Sequence, residues 1–263
     1  MTGSEEMSGT DKGRLAILLG GVGGYVDAVG YLALFGLFTA HQSGNSVGLG
    51  VAIGQGQWGE ALRRVTPVGG YVAAVGVGAL IVELSGDRRG RRPSSGWVLL
   101  LVEAVLLGAA LAVGDVAAVG GRVPTGQAVN YYWTAALLAA AMGMQTVVLG
   151  RVGGRTVRTT FVTGVLTTMA EAVVAAGVDR LRRMRSPADA APPGRTEARR
   201  LAGLLARLWM VYLAGGVLGA VAERAWSLPS LGVPMAVIVA VAAVDQRWPL
   251  RPSLPDDREG SER

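Results

Sequence analysis

The sequence contains no cysteine and only one histidine, His41, in 263 residues. Without cysteine the chain cannot form disulfides, use a thiol nucleophile or bind metal through sulfur, and a single imidazole argues against a histidine-based zinc site. No phosphate-binding loop is present either, because the glycine-rich run 20–24 follows no strand and opens no βαβ unit. We therefore predict no metal site, no cofactor and no enzymatic activity.

Charged side chains are also scarce. They make up 17% of the chain, whereas hydrophobic residues make up 51% and glycine alone occurs 40 times. A soluble protein of this length needs more polar surface, and glycine is common in membrane helices because small residues let backbones approach closely. The formal net charge of +6 does not indicate nucleic-acid binding, since the basic residues lie mainly in short connections between apolar runs. The composition predicts an all-α, multipass integral membrane protein whose partner is the lipid bilayer.

Six apolar runs approach the roughly 20 residues that a helix needs to cross a bilayer. They lie at about 15–37, 65–84, 97–118, 131–150, 205–225 and 231–246. Two further segments, 44–57 and 157–178, are apolar but interrupted by Gly, Ser, Thr, Asn or Gln. We predict about six transmembrane helices plus two broken or re-entrant helical segments, and the sequence leaves open whether these two segments fully span.

The distribution of positive charge favours six crossings over eight. With a cytoplasmic N-terminus, six crossings place 21 of the 25 basic residues inside, whereas eight crossings place 17 inside. Cytoplasmic connections carry an excess of Lys and Arg. A basic cytoplasmic loop is predicted at 179–204, where the arginines either contact anionic headgroups or belong to a solvated linker. Residues 1–13 and 248–263 are predicted to be disordered tails.

A faint internal repeat divides the membrane region into a first repeat, 14–120, and a second repeat, 130–247. Each half has a glycine-led motif in its first helix, then a polar turn, then a later helix with a tyrosine and close glycines. The matching positions are Gly24-Tyr-Val-Asp27 with Gly143-Met-Gln145-Thr146, the turns Ser43-Gly44-Asn45 with Thr163-Gly164, and Tyr71 with Tyr212. Three crossings per half make the halves inverted, which is a recurring design of secondary transporters.

Asp27 is the first candidate for a functional residue. It lies near the centre of the first apolar run, where a carboxylate costs roughly 2.5 to 3.5 kcal/mol on insertion scales. It can bind a cation, accept a proton or pair with an arginine, and the structural alternative is a hydrogen bond to a neighbouring helix. Gln145 and Thr146 are the uncharged residues at the corresponding position of the second half.

The two polar turns supply most of the remaining site candidates. Irregular backbone at membrane depth persists only where it is buried in protein or faces water, so the turns either ligate an ion or small polar solute or cap helices at the interface. The predicted binding residues are Asp27, Ser43, Gly44, Asn45, Gln145, Thr163 and Gly164, with His41, Glu103 and Glu171 as secondary candidates.

Four of these candidates have a further interpretation. Glu103 can be a helix-end carboxylate, and Glu171 can face a wet cavity. His41 and Ser43 would have to lie within hydrogen-bond reach to form an intramembrane hydrolase site, and their closeness in sequence alone does not indicate one.

At these motifs the sequence resembles the YoaK-like family of bacterial multipass membrane proteins of unknown function, described as small permeases. The resemblance covers most of residues 14–246. It rests on Gly24-Tyr-Val-Asp27-Ala28, Leu34-Phe-Gly36-Leu-Phe38 through His41-Gln-Ser43-Gly44-Asn45, Gly143-Met-Gln145 and Thr159-Thr-Phe-Val-Thr163-Gly164. Family members usually have Thr at position 43 and Asn at position 146. Ser43 keeps the hydroxyl, whereas Thr146 weakens the case for a binding role there. The resemblance implies the plasma (inner) membrane and a permease-like architecture, but no established substrate.

We therefore predict a small secondary transporter or permease for an ion or small polar solute. The alternative is a non-transporting membrane scaffold or partner-binding subunit in which Asp27 is a packing residue. The sequence does not determine the solute, the coupling ion, the transport direction or the oligomeric state, and it is compatible with a homo-oligomer.

Overall fold

The structure is a computed structural model that describes residues 9–84, 96–114, 128–152, 162–185 and 194–247. Within these ranges the chain forms eight α-helices, one short 3-10 helix and no strand. The α-helices are α1 (Gly9–Ala33), α2 (Gln42–Gly54), α3 (Trp58–Leu84), α4 (Gly96–Val113), α5 (Ala128–Val152), α6 (Val162–Arg185), α7 (Gly194–Trp226) and α8 (Gly232–Arg247). The 3-10 helix, Leu228–Leu231, lies between α7 and α8. The predicted all-α fold is confirmed.

Six of these helices contain stretches that are long and apolar enough to cross a membrane, namely α1, α3, α4, α5, α7 and α8. They match the six predicted runs, which confirms the predicted number of spans in the described part of the chain. Helix α2 has 13 residues, too few to cross a hydrocarbon core of about 30 Å at about 1.5 Å per residue. In α6 only Leu166–Val178 is apolar. Both of these segments are continuous helices, not the interrupted ones that their polar residues suggested.

Two stretches predicted to be irregular are partly helical. Helix α1 begins at Gly9, inside the predicted tail 1–13. Helices α6 and α7 extend through 179–185 and 194–204 of the predicted basic loop. Arginine is a good helix former, so a helix can continue past the end of its apolar run, and hydropathy reports the span but not the helix end. The tail 248–263 and the middle of the basic loop lie outside the described residues.

Helices α1 and α5 form the centre of the bundle. In each, 61% of the apolar span is buried, against 17% in α3 and 22% in α7. Helix α7 packs along α1 and α3 packs along α5, while α4 lies against both α5 and α8. The short α2 and the helix α6 pack on the outer helices α3 and α7. The exposed apolar faces of α3 and α7 suit contact with lipid tails.

Glycines let the central helices approach their partners closely. A Cβ atom at Gly24 would overlap the Tyr212 carbonyl on α7, and one at Gly215 would overlap the Gly21 carbonyl on α1. In the α3–α5 pair, a Cβ at Gly143 would lie 2.7 Å from the Tyr71 carbonyl oxygen. Small residues at membrane helix contacts replace the hydrophobic driving force, which is weak in lipid, with close backbone packing.

The end of α1 is held by side chains from α3 and α5. Phe35 and Gly36 have positive φ angles of 54° and 85°, which turns the chain away from the helix axis. Arg63 donates to the Phe35 carbonyl (3.1 Å), Arg64 donates to the Gly36 carbonyl (3.0 Å), and the Tyr131 hydroxyl donates to the Leu34 carbonyl (2.9 Å). These donors satisfy carbonyls that the helix end leaves free and fix the path of the segment that leads to α2.

Candidate functional site

Asp27 lies on the buried face of α1, with 4% of its surface exposed. Its Oδ1 atom accepts hydrogen bonds from the backbone N–H groups of Thr39 (2.7 Å) and Ala40 (2.9 Å) and from the Thr39 hydroxyl (3.0 Å). Gly30, almost one turn further along α1, leaves room for the Thr39 methyl group, which a Cβ there would overlap. One carboxylate oxygen thus ties the segment between α1 and α2 back onto α1.

The second oxygen, Oδ2, has two side-chain partners. The His41 Nδ1 atom lies 2.6 Å from it, and the Tyr212 hydroxyl on α7 donates to it at 2.8 Å. The Tyr212 oxygen is also 3.1 Å from His41 Nδ1. The His41 side chain is 19% exposed, against 4% for Asp27, so the imidazole connects the buried carboxylate with the outside of the cluster. We call Asp27, His41 and Tyr212 the Asp–His–Tyr cluster.

The cluster can hold and exchange a proton. Imidazole is the side chain whose ordinary titration lies nearest neutral pH, and a carboxylate and a phenol accept or donate hydrogen bonds on either side of it. Ionisable side chains inside membrane helices are rare, usually pair with one another and often mark proton or ion pathways. The geometry therefore makes the cluster a candidate proton site, and its contacts join α1, α7 and the segment before α2.

Asn45 fixes the segment that carries His41. Its side chain is fully buried; Oδ1 accepts a hydrogen bond from the Phe38 N–H at 3.1 Å, and Nδ2 donates to the Phe38 carbonyl at 2.6 Å and to Gln42 Oε1 at 2.8 Å. Because all of these bonds are made within the segment 38–45, Asn45 fixes the backbone that carries His41. Its side chain is buried and does not line the outside of the cluster.

A cavity of about 400 Å³ opens between α1 and α7 beside the cluster. Asp27, Tyr31 and Tyr212 are the lining residues with polar side-chain atoms. The other lining residues are Gly24, Ala28, Leu32, Phe38, Leu213, Gly216, Val217 and Ala220. The rest of the wall is therefore apolar.

The two polar turns lie in the first turns of helices, not at breaks between helices. Ser43 and Gly44 belong to α2, where Ser43 is exposed and a Cβ at Gly44 would lie 2.8 Å from the Phe38 ring. Thr163 and Gly164 begin α6, where Gly164 is exposed. Glu171, further along α6, is exposed as well. The structure therefore brings Asp27, His41 and Asn45 together and leaves these residues outside the cluster.

His41 and Ser43 do not form a nucleophile and base pair. The Nδ1 atom of His41 pairs with Asp27 and Tyr212, while the Ser43 side chain points outward and makes no hydrogen bond to the described residues. The contact between His41 and Ser43 that this hydrolase hypothesis would need is missing from the described part of the chain.

Gln145 and Glu103 lie in the core and make no hydrogen bond to the Asp–His–Tyr cluster. Gln145 is 3% exposed and its Oε1 atom lies 3.0 Å from where a Cβ at Gly23 of α1 would be. Glu103 is fully buried in α4, so the alternative of a helix-end carboxylate is wrong: the face of α4 that carries it packs inward.

Tyr212 is the member of the site that sequence reasoning did not assign. The sequence feature that could have identified it is its position in the internal repeat, where Tyr212 matches Tyr71. Tyr71, in the first half, donates its hydroxyl to Thr146 Oγ1 in the second half at 2.9 Å, and Thr146 is the residue that matches Asp27 in the aligned motifs. Each of the two matching tyrosines thus donates to one of the two matching motif positions. Tyr212 donates to the Asp27 carboxylate, and Tyr71 donates to the Thr146 hydroxyl.

The spans and the buried polar centre define the chain as a multipass α-helical membrane protein. Residues 15–244 match the family described as "Protein of unknown function (DUF1275)", and the chain belongs to this family. It is also similar to the "UPF0700 transmembrane protein YoaK" of Bacillus subtilis (strain 168), with 27% identity over 162 residues, which are 61% of this chain and 66% of that protein. The YoaK-like resemblance is confirmed. No solved structure matches the chain.

Proposed function

We propose that this chain is a small secondary permease of the plasma (inner) membrane that couples the movement of an ion or small polar solute to a proton held by the Asp–His–Tyr cluster. The observation that carries the proposal is the meeting of a buried carboxylate, an imidazole and a phenol within 3.1 Å beside a cavity of about 400 Å³. A structural hydrogen bond alone requires neither the histidine nor the cavity.

The two carboxylate oxygens of Asp27 have different hydrogen-bond partners. Oδ1 holds the segment after α1 through three bonds, while Oδ2 holds His41 and Tyr212. Hydrogen bonds to a charged acceptor are roughly twice as strong as neutral ones. A proton taken up at Oδ2 weakens the bond from Tyr212 and leaves the Oδ1 anchor in place. The α1–α7 contact, which borders the cavity, is therefore the contact that protonation loosens.

The packing supports the inverted repeat that such a mechanism uses. Gly24 approaches the Tyr212 carbonyl across α1 and α7, and Gly143 approaches the Tyr71 carbonyl across α5 and α3. These are the same two motif positions in each half. The pairing of α2 with α3 is likewise repeated by α6 with α7. Repeats of this kind alternate between two arrangements around a central site.

The orientation that we propose has a cytoplasmic N-terminus. Six crossings then put α2 at the outer side and α6 at the inner side, as the two halves of an inverted repeat require, and keep most arginines inside. The cavity beside Asp27 is adjacent to the segment that leads into α2, so we propose that solute and proton reach Asp27 from the outer side.

The proposal is tested on purified protein in liposomes that enclose a pH-sensitive dye. Candidate solutes are first selected because they raise the unfolding temperature of the wild type and not of Asp27→Asn. We expect such a solute, added outside, to acidify the lumen with wild type and with Tyr71→Phe, and to leave Asp27→Asn vesicles unchanged. Equal proton movement in Asp27→Asn vesicles would contradict coupling at this cluster.

The rival function is a non-transporting membrane scaffold, and one observation favours it: all five hydrogen bonds of Asp27 are internal to the protein. A scaffold has a dry α1–α7 cavity, whereas a permease has a wet one. The absence of native cysteine allows a direct test with Ala28→Cys, which places a thiol in the cavity wall. A charged, water-soluble methanethiosulfonate reagent added to cells reports whether water reaches it.

A matched control is Val105→Cys on α4, because Val105 is 69% exposed on a membrane span and lines no part of this cavity. We expect Ala28→Cys to react and Val105→Cys, which faces lipid, to remain unmodified. If Ala28→Cys is as unreactive as Val105→Cys, the scaffold function is favoured and the permease is not.

A further inference from the structure

Glu103 is a buried carboxylate that the protein itself does not satisfy. It has 0% exposed surface, and neither carboxylate oxygen has a hydrogen-bond partner among the described residues. It lies on the inward stripe of α4 with Leu99, Leu100 and Leu107, all of them fully buried. This is the opposite of Asp27, whose oxygens accept five bonds.

An unpaired negative charge in such a place is too costly to persist, so the carboxylate neutralises or acquires a counter-ion. No arginine or lysine contacts it within the described residues. A bound monovalent cation, either a proton or an alkali metal ion, would satisfy Glu103 without a partner from the described residues.

Helix register brings Glu103 level with a second unsatisfied group. Gly114, directly after α4, lies against Thr134 near the start of α5, where its Cβ would be 3.4 Å from Thr134 Cγ2. The two helices pack along their length and are therefore antiparallel. Glu103 precedes Gly114 by as many residues as Gln145 follows Thr134. Because the rise per residue is the same in both helices, Glu103 and Gln145 lie at about the same level. The Nε2 atom of Gln145 is buried and has no partner among the described residues.

Gln145 also reaches toward the first helix. Its Oε1 atom lies beside Gly23 of α1, one turn before Asp27 on the same face. Gln145 thus lies between the helix that carries Asp27 and the helix that carries Glu103. We propose that Glu103 and Gln145 form a second, exchangeable binding site for a monovalent cation, between α4 and α5. The inference rests on the proposed permease function, in which this site would take up the coupling cation.

Few other ionisable groups face this site. Helix α4 packs against α5, α8 and the short 3-10 helix. On α5, Tyr131 is occupied by the Leu34 carbonyl, nearly four turns from Gln145. On α8, Gly108 of α4 lies near Met235, so Asp245 lies more than one turn beyond the level of Glu103. The 3-10 helix has no ionisable side chain. Exchange at Glu103 is therefore separable from titration of its neighbours.

The test uses dicyclohexylcarbodiimide on the wild-type protein in liposomes, with mass spectrometry of the peptide that contains Glu103. The protonated carboxyl gives its proton to a carbodiimide nitrogen while its oxygen bonds the central carbon, and the adduct rearranges to a stable acylurea. We expect modification of Glu103 to exceed that of Asp27, whose oxygens are already occupied. A severalfold slowing by NaCl, relative to choline chloride at the same pH, identifies a sodium site. Slowing by higher pH alone identifies a proton site.

Two variants keep the test decisive. Gln145→Leu removes the polar neighbour that helps to hold the cation and favours the neutral carboxyl, so it should speed the modification severalfold and weaken the effect of NaCl, whereas Thr146→Val, the adjacent residue that is bonded to Tyr71, should leave both unchanged. An unmodified Glu103 in wild type, or a rate that neither sodium nor pH alters, overturns the second site. The result is independent of the Ala28→Cys measurement: a reactive Ala28→Cys with an inert Glu103 would retain the permease and discard this site.

Discussion

At the scale of single residues, the hydroxyl of Tyr212 is the part of the site that distinguishes the two halves. Tyr212 donates to a carboxylate, and Tyr71 donates to the Thr146 hydroxyl. A hydrogen bond to a charged group contributes about 1.5–3 kcal/mol, whereas neutral side-chain bonds between membrane helices average about 0.6 kcal/mol. We expect Tyr212→Phe to lower the free energy of unfolding by the larger amount and Tyr71→Phe by the smaller, measured by equilibrium unfolding in mixed micelles. Equal losses would show that Asp27 does not carry charge toward Tyr212.

Asn45 and Ser43 are near neighbours with opposite expectations. Replacing Asn45 by Ala removes the hydrogen-bond partners of the partly buried N–H and carbonyl groups of Phe38, and each such loss costs up to about 1–3 kcal/mol. We expect Asn45→Ala to destabilise by about 2–4 kcal/mol, and Ser43→Ala, an exposed residue without a side-chain bond, by less than about 0.5 kcal/mol. The same unfolding measurement serves both variants. A large loss of unfolding free energy in Ser43→Ala would mean that the Ser43 hydroxyl has a structural or binding partner after all.

The sequence was sufficient to identify Asp27, because a carboxylate inside an apolar run is conspicuous whatever its neighbours are. It was not sufficient to assign Tyr212, which lies 185 positions away in the chain and reaches Asp27 only through the packing of α7 on α1. Ser43 and Asn45 show the same limit. Both were polar residues in one motif, and only the direction of each side chain on α2 separates an exposed hydroxyl from a buried amide.

At the scale of helices, hydropathy predicted the six spans but not the ends or the pairing of helices. The run at 205–225 lies within α7, which begins at Gly194, because arginine and alanine continue the helix where apolar character stops. Pairing depends on which glycines face a partner backbone. Gly24 and Gly76 look alike in sequence. A Cβ atom added at Gly24 would overlap the backbone of α7, whereas a Cβ atom added at Gly76 would have no neighbour within 4 Å.

This difference makes Gly24→Ala and Gly76→Ala a matched pair. The added methyl at Gly24 would overlap the Tyr212 carbonyl, and overpacking of this kind costs about 1–3 kcal/mol or more. At Gly76 the space is open, so the higher helix propensity of alanine should stabilise α3 by up to about 1 kcal/mol. Thermal unfolding in detergent should show a clear loss for Gly24→Ala and none for Gly76→Ala. If both variants unfold like wild type, the α1–α7 contact is looser than described.

At the scale of the whole molecule, the proposed inverted repeat would account for features that no single helix explains. The central pair α1 and α5, the outer pair α3 and α7, and the two helices that do not present a full span, α2 and α6, each contain one member from each half. An odd number of crossings per half places these members in opposite orientations. Arg63 and Arg64 would lie at the proposed outer side, although most basic residues would lie inside. Both are bound to carbonyl groups at the end of α1 and to Glu60, so they have a structural role there.

The orientation of the halves is open to a direct test because the chain has no native cysteine. Gln57, exposed between α2 and α3, and Ser94, between α3 and α4 in the sequence, are separated in the chain by one proposed crossing, α3. With a cytoplasmic N-terminus we expect a membrane-impermeant maleimide to label Gln57→Cys in intact cells and Ser94→Cys only after lysis. Labelling of both thiols in lysed cells is the control for their reactivity. The reverse pattern would invert the molecule and place the basic connections outside. Labelling of both thiols in intact cells would mean that α3 does not cross, and the inverted repeat would then fail together with the permease mechanism built on it.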